Sequence, residues 1–420
     1  MTPRKIGLIN LGCSRNLVDS QTMLGELKKE GHRITAMDEA DVAIVNTCAF
    51  IEEAKQESID TILDLIALKK QGKLKKVIVA GCLAQRYGKE LAKEIPEIDE
   101  LRGVLKLNRE KVPARFPLTP RHFAYVKICE SCYNQCSFCV IPKIKGKFIS
   151  RALESILAEV RMLDAEGVKE IMVIGQDITA YGMDIYRHKM LAKLLREITK
   201  ITRNIEWIRL LYTFPAHVTD ELIDTIAEEE KICKYIDMPL QHISDPILKS
   251  MKRGITTKGT LELLEKIRTN IPQASIRTTF IVGLPGETPQ DFVELFSFVQ
   301  EQRFEKMGVF VYSREEGTPA YTMPNQVPDR VKKKRLHTLM QVQQEISKEL
   351  QEKRMGETFK VMIDEASKEE KDIYLGRSQY DAPEVDGVVF VHSSQRLNPG
   401  EFVQVRITGS YEYDLVGEVV

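Results

Sequence analysis

Charge of one sign is missing from this chain: 61 lysines and arginines balance 61 aspartates and glutamates over 420 residues. The whole protein therefore has no electrostatic attraction for nucleic acid, and any such surface must be local. Long apolar runs are missing as well, none approaching the roughly 18 residues of a membrane span. The start, Met1-Thr2-Pro3-Arg4-Lys5, leads into an alternating strand pattern with no signal-peptide core, which predicts a cytoplasmic protein away from membranes. Disulfides are rare in that compartment, so the eight cysteines point to metal binding or catalysis. Cys233 alone has no cysteine near it and reads as a core residue.

What the chain does have is a dense thiol motif. Cys132-Tyr133-Asn134-Gln135-Cys136-Ser137-Phe138-Cys139 places three thiols at C-x3-C-x2-C spacing. Thiolates are the usual protein ligands of iron–sulfur clusters, and three of them can wrap one corner of a cuboid while the fourth iron stays open. A site short of one ligand can hold a substrate where a closed structural site cannot. Zinc is the competing reading, because Cys129 with Cys132, Cys136 and Cys139 makes four thiolates, enough for a tetrahedral ion. Zinc ribbons, however, take their cysteine pairs from turns roughly 15–20 residues apart, whereas these four fall within eleven residues. Cys129 also ends the apolar run from Phe123 to Ile128, a predicted strand in which its side chain would be buried.

Residues 1–115 repeat one pattern three times. Apolar strands over Lys5–Gly12, Asp41–Thr47 and Lys76–Gly81 run into Cys13, Cys48 and Cys82, which are 35 and 34 residues apart. Helical stretches at Ser20–Glu30 and Glu52–Lys70 lie between them. Alternating strands and helices predict a parallel sheet, and in such sheets ligands bind outside the carboxyl ends of the strands. Small residues suit tight strand-to-helix turns, so each cysteine also has a plain packing role open to it. Three thiols delivered alike to one edge point to a second cluster with an open iron.

Pro113 to Pro120, with three prolines, reads as a linker. A longer alternation follows over residues 121–355. Strands are predicted at Phe123–Cys129, Glu170–Asp177, Trp207–Thr213, Tyr235–Gln241, Ser275–Gly283 and Lys306–Ser313, with helices between successive members. Six βα units are too many for a small open sheet and too few for a closed eightfold barrel, so a partial barrel fits. Active residues in barrels come from the carboxyl ends of strands, and there lie Gln176 and Asp177, Arg209 along the third strand, Gln241 and His242, and Arg277. Glu287 follows in the turn Gly283-Leu284-Pro285-Gly286-Glu287. Such polar groups could bind the amino, carboxylate and ribose groups of a cofactor; His242 reads as structural. A charged amphipathic helix spans residues 328–355, with Leu336, Leu339, Met340, Ile346 and Leu350 on one face. The tail, residues 356–420, changes to short strands separated by turn residues, a small all-β barrel.

Taken together, the C-x3-C-x2-C motif, Asn10-Leu11-Gly12-Cys13-Ser14-Arg15-Asn16, Val45-Asn46-Thr47-Cys48, Gly81-Cys82 and the β tail resemble the radical S-adenosylmethionine methylthiotransferases over essentially the whole chain. The resemblance implies a methylthiotransferase domain, a radical SAM core and a TRAM barrel. It also implies S-adenosylmethionine and two [4Fe-4S] clusters as cofactors. The Cys132/Cys136/Cys139 cluster would cleave the cofactor to a deoxyadenosyl radical that takes hydrogen from an unactivated carbon. The auxiliary cluster on Cys13, Cys48 and Cys82 would carry the sulfur that is methylated and inserted. An electron donor such as a flavodoxin is expected.

Two branches differ in substrate, one modifying an adenosine of transfer RNA and the other an aspartate of ribosomal protein S-twelve, free or in the small subunit. Residues Gly376 to Gly387 and Leu11 to Ser20 resemble the ribosomal-protein branch. From Thr358 to Val420, 6 basic residues face 12 acidic ones, a net of −6. RNA affinity depends on phosphate neutralisation, so this tail argues against transfer RNA and for a basic protein. A non-catalytic, metal-stabilised binding protein is the alternative outside the enzymes. The family more often has serine and glycine where Cys129 and Ser131 stand, which leaves the role of Cys129 open.

Overall fold

The apolar runs of the first hundred residues are nearly continuous, the pattern of parallel strands buried on both faces. In the computed structural model, which describes residues 3–420, they build a parallel five-stranded sheet. Its strands are β1 (Lys5–Asn10), β2 (Arg33–Ile34), β3 (Val42–Thr47), β4 (Lys76–Gly81) and β5 (Glu100–Arg102), in the order β2-β1-β3-β4-β5. Met1 and Thr2, the beginning of the start read above, lie outside the described residues. Helices α1 (Ser14–Lys29), α2 (Glu52–Lys70) and α3 (Cys82–Glu94) follow β1, β3 and β4. The first of these begins at Ser14, six residues before its periodicity predicts, because Gly12 turns the chain at φ +88° and Cys13 takes the extended position before the helix. Gly81 turns likewise at φ +90°; a Cβ there would stand 2.3 Å from Asn46 Oδ1, so glycine alone lets β4 end this close to β3.

A second sheet is also parallel. After β6 (Phe123–Lys127) and the small pair β7 (Cys129–Glu130) and β8 (Ile149–Ser150) come β9 (Glu170–Ile174), β10 (Trp207–Leu210), β11 (Ile232–Asp237), β12 (Ser275–Val282) and β13 (Lys306–Val311). The order β13-β12-β11-β10-β9-β6 leaves β13 and β6 as edges, the open partial barrel expected from six βα units. Side chains alternate across it. Val126, Val173, Leu210, Ile236 and Phe280 pack under the helices, joined by Leu336, Leu339, Met340, Ile346 and Leu350 of the long helix Asp329–Glu352. The inner face carries Tyr125, Lys127, Glu170, Arg209, Tyr235, Asp237 and Arg277.

The tail closes into a barrel of β14 (Thr358–Ala366), β15 (Ile373–Ser378), β16 (Val389–His392), β17 (Phe402–Ser410) and β18 (Leu415–Val419), ordered β14-β15-β16-β18-β17. It sits against the inner face of the open sheet, where Met362, Ala382 and Phe402 share a buried cluster with Tyr125, Met172, Trp207 and Tyr235. Residues 103–122 hold no helix or strand. They are nonetheless pinned: Ala114 is buried, and Arg115 donates to Gln21 and Glu159, both at 2.7 Å.

Candidate functional site

β1, β3 and β4 are adjacent, so Cys13, Cys48 and Cys82 lie side by side at their carboxyl ends. A Cβ on Gly12 would stand 3.1 Å from Cys48 Sγ, which puts that thiol against the turn carrying Cys13. Asn16 ties the turns together by donating to the carbonyls of Leu11 and Thr47, both at 3.0 Å, and its Oδ1 lies 3.9 Å from Cys82 Sγ. Burial raises the Cys13 thiol, but the Arg15 guanidinium and the Asn16 amide outweigh it and hold the pKa below its ordinary value. Burial, then the Cys48 and Cys13 charges, push Cys82 up to about 12 against the pull of Lys145. Cys48 thus feels the Cys13 charge, and Cys82 feels both.

The second thiol set follows β7. Asn134 donates its backbone N–H to Cys132 Sγ at 3.4 Å and its side-chain amide to Asp177 at 2.7 Å. Arg253 points a guanidinium nitrogen at Cys136 Sγ, 3.5 Å away, while its plane stacks 4.0 Å over the Phe214 ring centre. Burial, with the neighbouring charges, raises Cys132 to about 11 and Cys139 to about 12. A cation that binds thiolates overcomes such a penalty. Cys129 is different. Its Sγ approaches the Asp177 carbonyl at 3.5 Å, packs where a Gly175 Cβ would be 2.3 Å away, and belongs to the core with Val126, Ile128 and Ile178. Three thiols, not four, share this loop. Among the described residues no three His, Cys, Asp or Glu side chains converge on the point where one metal ion would sit. Two separate sets of three thiols, all eight cysteines being free, suit clusters of several irons.

Of the polar residues expected at the barrel mouth, the structure ties two to the thiol loop and holds a third, Gln241, at its strand end. Gln176 donates to Glu130 at 2.9 Å and leaves its Oε1 buried without a partner. Asp177 accepts from Asn134 and lies 2.9 Å from His217 Nδ1. Gln241 adopts φ +74° and likewise buries an unpartnered Oε1. Two orphaned carbonyl oxygens at the strand ends fit a cofactor with amino and hydroxyl donors.

The other three are engaged elsewhere. Arg209, expected to face a cofactor, is fully enclosed: it donates to Glu170 at 2.7 Å and to the tail carbonyl of Gln379 at 2.7 Å. Its register beside Tyr125 and Met172 puts it below the strand ends, where the tail barrel docks. Arg277 pairs with Asp237 at 3.0 Å and approaches Asp386 of the tail. Glu287 accepts from the Leu284 N–H at 3.2 Å and from Arg335 at 2.7 Å, locking its own turn to the long helix. His242 is structural as expected, accepting from the Ser244 N–H at 3.0 Å. Arg15, Asn134 and Arg253 have no counterpart in the sequence reading; single polar residues outside a repeated spacing give no sequence signal.

The two thiol-bearing edges meet at one packed seam. The helix α4 (Ile141–Lys145), just after Cys139, packs Val140 and Ile144 into the core that holds Cys82 and Leu83. Lys127 and Lys145 both pair with Asp19 of α1 and with Glu130, a buried four-charge ring across the seam. Arg15 reaches over to donate to the Gly175 carbonyl at 3.0 Å.

Three family models match in series: an uncharacterized protein family, UPF0004, over residues 5–103, the radical SAM superfamily over 126–299, and the TRAM domain over 355–420. The ribosomal protein uS12 methylthiotransferase RimO of Clostridioides difficile is 48% identical over 442 residues, covering 99% of both chains. That of Geobacter sulfurreducens is 46% identical, covering 99% of this chain and 98% of the relative. The chain belongs to the uS12 methylthiotransferase family. Among solved structures, a radical S-adenosylmethionine methyltransferase from Kitasatospora setae, with cobalamin and a [4Fe-4S] cluster bound, superposes at a TM-score of 0.58. It is 16% identical and covers 76% of this chain and 77% of its own, a likeness of fold. The three matches fall in turn on the first parallel sheet, on the second from β6 to β12, and on the closed tail barrel.

Proposed function

We propose that this methylthiotransferase adds a methylthio group to the β-carbon of an aspartate in ribosomal protein uS12, with Cys132, Cys136 and Cys139 holding one [4Fe-4S] cluster and Cys13, Cys48 and Cys82 the other. The observation that supports the site is two separate three-thiol sets on edges joined across the seam by Arg15 and Lys145. When bound, S-adenosylmethionine and the two clusters supply hydrogen abstraction, sulfur and methyl group. The chain supplies position. The Lys127–Asp19–Glu130–Lys145 ring holds the two thiol-bearing edges in register, which fixes the distance a substrate side chain must bridge. The free carbonyl oxygens of Gln176 and Gln241, the Asp177 carboxylate and the Arg253 guanidinium receive the polar groups of S-adenosylmethionine. The tail barrel closes the lower part of the inner face and excludes water from beneath.

Among the described residues no helix is long and apolar enough to cross a membrane, and a ribosomal substrate puts the enzyme in the cytoplasm. A flavodoxin-type donor supplies electrons. The test is anaerobic enzyme offered uS12 and transfer RNA in competition, with iron, cofactor cleavage and methylthiolated product measured. Wild type should hold about eight irons and modify only uS12. Cys48→Ala should hold about four, keep some cofactor cleavage and make no methylthiolated product. Product on transfer RNA would overturn the substrate, and normal product from Cys48→Ala would overturn the auxiliary site.

A further inference from the structure

We propose that Arg15 binds the side-chain carboxylate of the residue being modified and so selects an acidic substrate. This rests on the uS12 aspartate reading above. Arg15 stands in the first turn of α1, two residues after Cys13, and its side chain crosses to the open sheet. There it donates to the Gly175 carbonyl at 3.0 Å and stacks on Tyr212, 4.2 Å from the ring centre. Tyr212 is itself held for this contact. It sits at φ +69°, in a region a bulky residue enters only under constraint. Its N–H donates to Asp237 at 2.8 Å, and its hydroxyl lies 3.3 Å from Ser14 Oγ.

Other cations along the seam have carboxylate partners. Lys127 and Lys145 pair with Asp19 and Glu130, Lys55 and Arg86 with Glu315, and Arg277 with Asp237. Among the described residues Arg15 has no carboxylate within ion-pair distance, and neither does Arg253. A guanidinium offers five N–H donors in a planar fork that matches a carboxylate; Arg15 spends one of them on Gly175 and turns another to the Cys13 thiol. Two carboxylates must be placed during the reaction: the methionyl carboxylate of the cofactor and the side chain of the aspartate. Arg253 lies against Cys136, on the cofactor's side, and Arg15 lies beside Cys13, on the sulfur donor's side. The β-carbon of an aspartate is bonded directly to its carboxylate. Gripping that group at Arg15 therefore sets the reacting carbon between the two thiol sets. The base of an adenosine carries no carboxylate next to its reacting carbon.

The alternative is that Arg15 only staples two parts of the molecule together. The test is binding of uS12 and of uS12 with asparagine at the modified position, by calorimetry on anaerobic holoenzyme, for wild type, Arg15→Lys and Arg15→Gln. A charge-assisted pair predicts that wild type binds the aspartate form about 10- to 100-fold more tightly. Arg15→Gln should narrow that ratio to about 3-fold or less, with Arg15→Lys between. Because the ratio compares two substrates on one preparation, a partly inactive sample does not alter it. An unchanged ratio in Arg15→Gln overturns the role of Arg15 and leaves the function standing. Loss of the auxiliary iron in both variants assigns Arg15 to cluster assembly and overturns the proposal too. Failure of wild type to bind either uS12 form overturns the substrate, and the role of Arg15 with it.

Discussion

Glu170→Gln should loosen the tail barrel from the open sheet at a large energetic cost. Glu170 is fully buried and serves two guanidiniums at once, Arg209 at 2.7 Å and Arg377 of the tail at 2.7 Å. The substitution keeps the shape and removes the charge, leaving two buried cations facing a neutral amide. Breaking a buried pair in this way costs about 3–5 kcal/mol. Arg377 retains Asp364 at 2.7 Å, which places the expected loss nearer the lower end of that range, about 3 kcal/mol. The assay is built in. Trp207 is the only tryptophan, it is 5% exposed, and its ring lies 4.8 Å from Phe402 of the tail. Its fluorescence during urea unfolding reports the seam directly. Since Glu170 and Arg377 touch, Glu170→Gln with Arg377→Leu should cost less than the sum of the two singles by about 1–3 kcal/mol. Burial raises the Glu170 pKa, but Arg377 and Arg209 outweigh it and hold the group below its ordinary value. The stability it contributes is thus present above the unfolded pKa of about 4.3 and is lost as pH falls through the lower folded value. The penalty of Glu170→Gln should shrink over that acid window. A loss under about 1 kcal/mol, or additivity within about 0.5 kcal/mol, would refute the reasoning.

Cys129→Ala should keep the full iron content, because its thiol faces the core by Gly175; iron falling by one cluster's worth would make it a ligand. His242 is held at about 3 by burial, with its Nδ1 accepting from Ser244, so an NMR titration should find it neutral down to about pH 4. Between the unfolded pKa of about 6.5 and that folded value the unfolded chain binds a proton the folded one does not. Stability should therefore fall with pH across this window, and His242→Phe should flatten the slope; an unchanged slope would contradict it.

Periodicity and spacing made the thiols legible, because a cluster needs its ligands from a few chain positions, and those positions recur at strand ends. The same regularity marked six βα units, since each strand buried under helices reads as an apolar run. Less legible was everything that depends on what lies opposite. Arg209 sits in a strand as a cofactor-binding arginine would, but the tail barrel, 170 residues later in the chain, supplies its partners. Glu287 follows a glycine-rich turn that suggests a ligand cradle, yet its carboxylate closes that turn from within. The strands Ile373–Ser378 and Leu415–Val419 were missed because Gly376, Arg377, Gly417 and Glu418 interrupt their apolar alternation. Those interruptions have a cause: Arg377 must reach Glu170, and a Gly417 Cβ would stand 2.6 Å from the Arg406 carbonyl in the tight small barrel.

The docking of the tail also changes what its acidity means. Read along the chain, twelve acidic residues against six basic ones look like a surface waiting for a basic partner. In the fold, several of those carboxylates face inward. Asp364 pairs with Arg377, Asp381 with Lys306, and Asp386 accepts from Tyr235 at 2.7 Å beside Arg277. The stretch Gly376 to Gly387, whose wording resembles the ribosomal-protein branch, is thus first a plug in the open sheet, with Ala382 fully buried among its aromatic residues. Part of the tail's charge is consumed in holding the molecule together, so acidity alone discriminates weakly between protein and RNA. The discrimination moves to the thiol-bearing edge, where the Arg15 guanidinium beside Cys13, which has no carboxylate partner, suits the side chain of an aspartate. Substrate choice should accordingly respond more to Arg15 than to neutralising outward acids of the tail such as Glu369 and Glu370, a contrast that the same calorimetric ratio measures.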